Sequence, residues 1–382
     1  MKFSVLLFIC SMLAVVANAQ TVDTLERHWP QYIRLDQYLQ PFLSADTIYD
    51  EVVMPLSDGN SFPNGRLLFP VKAILSVRDA YLGESYEEGK DWVLEGQRLV
   101  LTDSSRIPFF REQDLVFSEN REGYVQPGKI PGTYVLFSEG QLFRSKQLAV
   151  TYLPDRSGEH LQRHLATSKN LPKTLQKLQQ HKPLHVVFYG NSIETGANSS
   201  GVQHVPPFMP NWTELFIYGL RQHFGGKISY SNMAVGGKTA GWGVEEVDTR
   251  VSAQHPDLVV IGFGMNDGTF NVTPENFVGQ IKTIMDRVSA ENPDCEFIVI
   301  TPMLANPAAI QFQIQAAYRK PLFDLSKKGI AIADMTYWHQ WLLTHKAYQD
   351  MTGNNINHPN DYLARWYAHV LTALLIAPDS RQ

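Results

Sequence analysis

The segment "VVFYGNSIETG", Val186 to Gly196, ends an apolar run at a glycine and follows it with one serine among small and polar neighbours. A serine just past the end of a strand presents its hydroxyl and its main-chain N–H together, which is where a nucleophile for acyl transfer would sit. By itself the segment reads more simply as a polar turn. It is not the G-x-S-x-G elbow, because Glu194 stands where the second glycine is needed.

Three further segments change its meaning. "SNMAVGGKTAGWG" carries the adjacent Gly236 and Gly237, which let the backbone come close to a bound group. Its "GGKT" is no phosphate loop, since the first glycine of G-x-x-x-x-G-K-T would fall on Asn232. "IGFGMNDGT" offers Asn266, whose amide can donate to an oxyanion or simply satisfy its own turn. "MTGNNINHPNDYLARWYAHVL" places His358 immediately before Pro359, as a helix-capping residue or as a base reaching out of a polar loop. Together these types are compatible with acyl transfer from an ester. An imidazole, titrating near neutrality, takes the proton of a serine hydroxyl. The oxyanion formed on attack at an ester carbonyl is then bound by the N–H groups of Ser192 and Gly237 and the amide of Asn266.

The elements that must position these residues are visible as texture. From residue 184 onward, apolar runs ("LHVVFYG", "KISYSNMAV", "DLVVIGFG", "CEFIVITP", "IAIADM") alternate with amphipathic stretches such as "NWTELFIYGLRQHFG" and "TPENFVGQIKTIMDRVSAEN". Continuous apolar strands between helices predict an α/β fold with a parallel sheet covered on both faces, and ligands in such a sheet bind beyond the carboxyl ends of the strands. Ser192, Gly237 and Asn266 each follow a strand closely enough to meet there.

The four segments resemble the SGNH (GDSL-like) hydrolase family, whose blocks hold a nucleophilic serine, a glycine, an asparagine and a histidine in that order. The resemblance runs from about Leu184 to the end of the chain and rests on Ser192 in "GNS", Gly237 in "AVGGKT", Asn266 in "GMND" and His358 in "NHPND". It implies a three-layer SGNH/flavodoxin-like parallel sheet and ester hydrolysis through an acyl-serine, with no metal or other cofactor. Two positions depart from the family pattern. Asn191 replaces the aspartate before the serine, and Asn355 stands where an aspartate is expected three residues before the histidine. An amide oxygen at Asn355 can fix the imidazole tautomer but lacks the charge that stabilises imidazolium. Asp350 and Asp361 are possible substitutes, although Asp361 also suits the first turn of the last helix.

The remainder of the chain sets the context. Its 382 residues, 44% apolar and 19% charged with net charge -5, suit a two-domain globular protein and give no basic surplus for nucleic acid. Residues 20–155 carry short alternating runs and turn clusters, the pattern of a smaller β-sandwich domain, and 156–183 read as a helical linker before the hydrolase domain at 184–382. Lys2, the apolar run Val5–Val16 and Ala17-Asn18-Ala19 predict a signal peptide over 1–19 and a secreted or periplasmic protein. The run is too short for stable membrane insertion. Cleavage would leave Cys295 as the one cysteine and hence no internal disulfide.

Exported enzymes of the resembled family with an added β-sandwich often deacetylate polysaccharides, so the resemblance implies an acylated carbohydrate, or another small ester, as substrate. Trp242, Phe208 and Phe270 lie in or near the site loops and either stack on sugar rings or pack within the protein. A lipase or lysophospholipase is the alternative enzyme; a carbohydrate-binding protein with weakened catalysis is the alternative from another class.

Overall fold

The computed structural model describes residues 28–121, 123–157 and 169–376. The expected signal peptide and residues 158–168 of the expected linker lie outside them. Five strands form one parallel sheet: β1 (Leu184–Gly190), β2 (Ile228–Asn232), β3 (Leu258–Gly262), β4 (Glu296–Ile300) and β5 (Ile330–Ala333). Their spatial order is β2-β1-β3-β4-β5, with all four pairings parallel. β3, β4 and β5 are buried along their whole length, as their apolar runs require, with the buried Glu296 at the start of β4 accepting from Lys173 N and Thr174 N; β2, at the edge, is largely half-buried. In this order the chain crosses from β1 to β2 on one side and then returns past β1 to β3. That reversal, at the carboxyl ends of β1 and β3, is where open sheets of this kind bind ligands.

Helices cover both faces. α1 (Pro172–Gln179) precedes the sheet, followed by α2 (Trp212–Phe224), α3 (Ala240–Arg250), α4 (Pro274–Glu291), α5 (Met335–Leu343) and α6 (Asp361–Leu375). Val247 of α3 and Ile281, Ile284 and Val288 of α4 pack with Val187, Val259 and Val299 on one side. Leu215 and Phe216 of α2 and Leu363 and Leu371 of α6 pack with Val186, Phe188 and Val260 on the other. α2 starts at Asn211 in a capping box with Glu214, and Asn360 caps α6 by accepting from the N–H groups of Tyr362 and Leu363.

The residues before the sheet form three small β-sheets. Ile48–Val53, Leu148–Pro154 and Val71–Asp79 make an antiparallel three-stranded one; a mixed five-stranded one contains Trp92–Glu95 and Arg98–Leu101; Val116–Phe117, Tyr134–Leu136 and Val125–Pro127 make the third. This part does not stand apart from the rest. Phe42, Phe69 and Tyr152 belong to the same hydrophobic core as Leu363 and Trp366, and the Phe42 and Trp366 rings stack 5.0 Å apart. A helix clad on every side buries every side, which is why "DYLARWYAHVLTALL" is apolar almost all round. Two ion pairs cross the same junction: Lys346–Glu51 at 2.6 Å, both side chains wholly buried, and Arg144–Asp361 at 2.9 Å. Cys295 is buried, and burial pushes its thiol up to about 12. Among the described residues no helix is long and apolar enough to cross a membrane.

Candidate active site

The loop after β1 is built around a buried carboxyl. Glu194 accepts the N–H of Asn191 at 2.8 Å and lies in a notch left by glycines at the ends of β1 and β3. A Cβ at Gly190 would lie 2.3 Å from its Oε2, and one at Gly262 2.2 Å from its Oε1. Asn191 spans the same two strand ends, donating to Gly262 O at 3.2 Å and accepting from Ile193 N at 3.0 Å. The turn so held lifts Ser192 out as a partly exposed residue between buried neighbours.

The loops after β2 and β3 are locked to one another. Asp267 accepts the N–H groups of Ala240 and Gly264, at 2.8 and 3.0 Å, and burial raises its carboxyl above the usual range. Asn266 donates one amide hydrogen to Lys238 O at 2.9 Å, which leaves the second free to point elsewhere. Gly237 has φ +76°, in the left-handed region that favours glycine, and a Cβ on Gly236 would come 3.7 Å from that of Ser192. The N–H groups of Ser192 and Gly237 have no acceptor among the described residues.

His358 arrives on a loop that is closed on itself. The Oδ1 of Asn354 accepts from the N–H groups of Ile356, Asn357 and His358, at 2.9, 3.0 and 3.1 Å. The His358 carbonyl accepts in turn from Gly353 N at 3.0 Å and from the Thr352 hydroxyl at 3.1 Å. So held, the imidazole places Nε2 2.9 Å from Ser192 Oγ. Its Nδ1 lies 2.7 Å from Asn198 Oδ1 and 3.0 Å from Glu139 Oε2. Asn198 Nδ2 donates to the main-chain carbonyl of Glu139 at 3.0 Å, so its oxygen is the atom facing the ring. Two acceptors on Nδ1 fix the tautomer: Nδ1 bears the proton and Nε2 accepts from Ser192.

The other residues singled out in the sequence lie elsewhere. The structure does not bring Asn355 to the ring: its Nδ2 donates to Leu136 O at 2.9 Å, and its Oδ1 accepts from Asn306 and Gln349. Asp350 accepts from Met54 N and Ala347 N, and burial, outweighing nearby Lys346, pushes it up to about 6. Asp361 is spent on Arg144 and on Ser200 N. Trp242 packs against Tyr189, with Lys238 and Arg250 over its ring. Phe208 packs on His28 and Tyr32. Phe270, four residues beyond Asn266, is 68% exposed. Glu139, Asn198 and Asn354 had no spacing signature; for Asn198 the one hint was the small, polar "GANSSG" just after the serine. Among the described residues no group of three or more His, Cys, Asp or Glu side chains is gathered as metal ligands would be.

A serine and two N–H groups on the loops beyond β1 and β2 thus meet an imidazole from the loop before α6, an arrangement suited to acyl transfer. Residues 188–366 match the GDSL-like Lipase/Acylhydrolase family. The GDSL-like segment spans Ser192, Gly237, Asn266 and His358 and all five strands of the parallel sheet but the start of β1. No curated protein matches the chain. Among solved structures, it is similar to a two-domain esterase (CEX) active on acetylated mannans, with TM-score 0.44 and 20% identity over 54% of this chain and 52% of that one. The chain thus spans about half the length of that esterase. It is also similar to a variant of Axe2, an acetylxylan esterase from Geobacillus stearothermophilus, with TM-score 0.42, 13% identity and 56% and 96% of the two chains covered. The acetyl xylan esterase AlAXEase gives TM-score 0.41 and 17% identity, over 50% of this chain and 100% of that one.

Proposed function

We propose that the protein hydrolyses short-chain acyl esters, O-acetyl groups of carbohydrates foremost, through an acyl-serine at Ser192. The observation that carries this reading is the 2.9 Å contact between Ser192 Oγ and a His358 Nε2 whose other nitrogen is already held as a donor. As Oγ bonds to the ester carbon, its proton passes to Nε2 and the carbonyl pair becomes an oxyanion. The N–H groups of Ser192 and Gly237 and the second amide hydrogen of Asn266 receive that charge. Collapse breaks the bond to the alcohol oxygen, which leaves with the proton from Nε2. Water then attacks the acyl-serine with His358 again as base, releasing the carboxylic acid and restoring the hydroxyl.

The short acyl group follows from the loop at 197–211. Of its four large apolar residues, Met209 is committed to the core and Phe208 to His28 and Tyr32, which leaves only the two smaller valines Val202 and Val205. The polar Asn198 is the loop's member at the imidazole. Such a wall offers little apolar surface to a long acyl chain, which disfavours a lipase. The apolar run Val5–Val16 followed by Ala17-Asn18-Ala19 favours action outside the cytoplasm.

The test is hydrolysis of nitrophenyl acetate, nitrophenyl octanoate and acetylated mannan or xylan by the full chain and by Ser192→Ala. Acetyl esters should be cleaved much faster than octanoyl esters and Ser192→Ala should be inactive while folded. Equal activity of wild type and Ser192→Ala would end the esterase reading; preference for octanoate would move it to lipases.

A further inference from the structure

Three carboxylates come into question as the charged partner of His358 in the absence of an aspartate at position 355, and two are already spent. Asp350 serves the backbone of Met54 and Ala347, and Asp361 serves Arg144 and Ser200. The third reaches the imidazole from the far side of the sequence. Glu139 lies in the turn after Tyr134–Leu136, within the small sheets that precede the GDSL-like segment.

We propose that Glu139 is the carboxylate that orients His358 and stabilises its imidazolium, so that the N-terminal half of the chain completes the catalytic machinery of the C-terminal half. The inference rests on the ester-hydrolase reading given above. Its geometry is specific at both carboxylate oxygens. Oε2 accepts from His358 Nδ1 at 3.0 Å, and Oε1 accepts from Asn354 Nδ2 at 3.2 Å. Asn354 is the residue whose Oδ1 gathers three N–H groups of the histidine loop, so one side chain fixes the loop and aims the acid. The backbone of Glu139 is fixed as well, through its carbonyl and Asn198 Nδ2.

The hairpin that leads into the Glu139 turn is docked on the C-terminal half along both its strands. Asn355 donates to Leu136 O, Lys129 N donates to Ala308 O, and Ile310 N donates to Pro127 O at 3.0 Å. The position three residues before the histidine has therefore become a strut: Asn355 no longer serves the ring and instead holds the strand that delivers the acid. A side chain 51% exposed works in partial contact with water, which screens its charge; Asn198, buried, supplies the second acceptor and a fixed geometry. Burial pushes the Glu139 carboxyl up, but the hydrogen bond and charge of His358 together with the hydrogen bond from Asn354 hold the group below the usual range. Arg144, behind Asn198, is a further charged group on this side and is neutralised by Asp361.

In the reaction the proton of Ser192 Oγ goes to Nε2, Nδ1 keeps its own proton, and Glu139 remains ionised throughout. Glu139 is thus a positioning residue, and its test must read the ionisation of the ring. In the full chain, Glu139→Gln should lower kcat about 10²-fold or more with KM nearly unchanged, and should move the acid limb of the kcat–pH profile to lower pH. Glu139→Asp should recover part of kcat and part of the limb's position. A second measurement needs no turnover: the His358 titration followed by NMR in folded Ser192→Ala should fall when Glu139→Gln is added. Active wild type with Glu139→Gln within threefold of it and an unmoved limb, or an unchanged NMR titration, would overturn the proposal. Loss of the esterase reading would show instead as a wild type no more active than Ser192→Ala, with the NMR coupling still readable.

Discussion

Asn198 Oδ1 and His358 Nδ1 are 2.7 Å apart, although 160 positions separate the two residues in the chain. The contact depends on a close packing behind it: a Cβ on Gly353 would lie 2.3 Å from the Cβ of Asn198. Gly353 begins the same closed loop that ends at His358, through its N–H on the His358 carbonyl at 3.0 Å. Ring, asparagine and loop therefore move together or not at all.

Gly353→Ala is the direct check on that coupling. The added methyl cannot be accommodated without displacing Asn198, so kcat should fall by roughly tenfold or more, as expected for a small displacement at a positioned group, with KM changing less. A variant with wild-type kcat would show that the loop yields and that Asn198 is not needed to hold the ring.

Asn266 is anchored by one amide hydrogen on Lys238 O and proposed to give the other to the oxyanion. Asn266→Ala should then lower kcat by about 10²- to 10³-fold with little effect on KM, the pattern of an interaction made in the transition state. Steady-state kinetics on nitrophenyl acetate decides it; a change confined to KM would assign Asn266 to ground-state binding.

Asp361 offers the contrasting case. Its carboxylate neutralises Arg144 across the junction between the two halves, with both side chains nearly buried. Asp361→Ala should cost about 3–5 kcal/mol of stability by leaving the guanidinium buried and unpaired. Denaturant unfolding measures that loss; an unchanged unfolding free energy would show that the Arg144 guanidinium finds another partner.

These cases mark what the sequence can and cannot display. The parallel sheet was legible because a strand buried on both faces must be apolar almost throughout, and "LVVIG" and "IAIA" between amphipathic helices fit that requirement. Ser192, Gly237, Asn266 and His358 were legible because each follows a strand or precedes a helix in the order that the sheet's carboxyl edge requires. Glu139 was not, because a turn glutamate some 219 positions from the histidine has no spacing relative to it; only the docking of the small sheets creates their contact. Asn355 misled for the same reason. Its position suggested the ring, while its left-handed φ of +65° and its bond to Leu136 O belong to a neighbour that periodicity cannot foresee.

Glu194 supplies a prediction about stability and pH. Burial beneath the nucleophile turn raises its carboxyl from an ordinary 4.5 to about 8. A carboxyl with a raised folded pKa favours the native state fully below the unfolded value and loses that contribution as pH rises through the folded value. Asp350, raised by burial from 3.8 to about 6, acts in the same direction at lower pH. The window that isolates Glu194 is therefore about pH 6 to 8, where the folded protein holds a proton that the unfolded chain has released. Glu194→Gln keeps an acceptor for Asn191 N–H and has no proton to lose. Tm of the wild type should fall across this window relative to that of Glu194→Gln, the two converging toward pH 5. Parallel Tm curves from pH 5 to 8 would show that the Glu194 carboxyl is ionised in the folded protein and that the glycine notch at Gly190 and Gly262 solvates its charge.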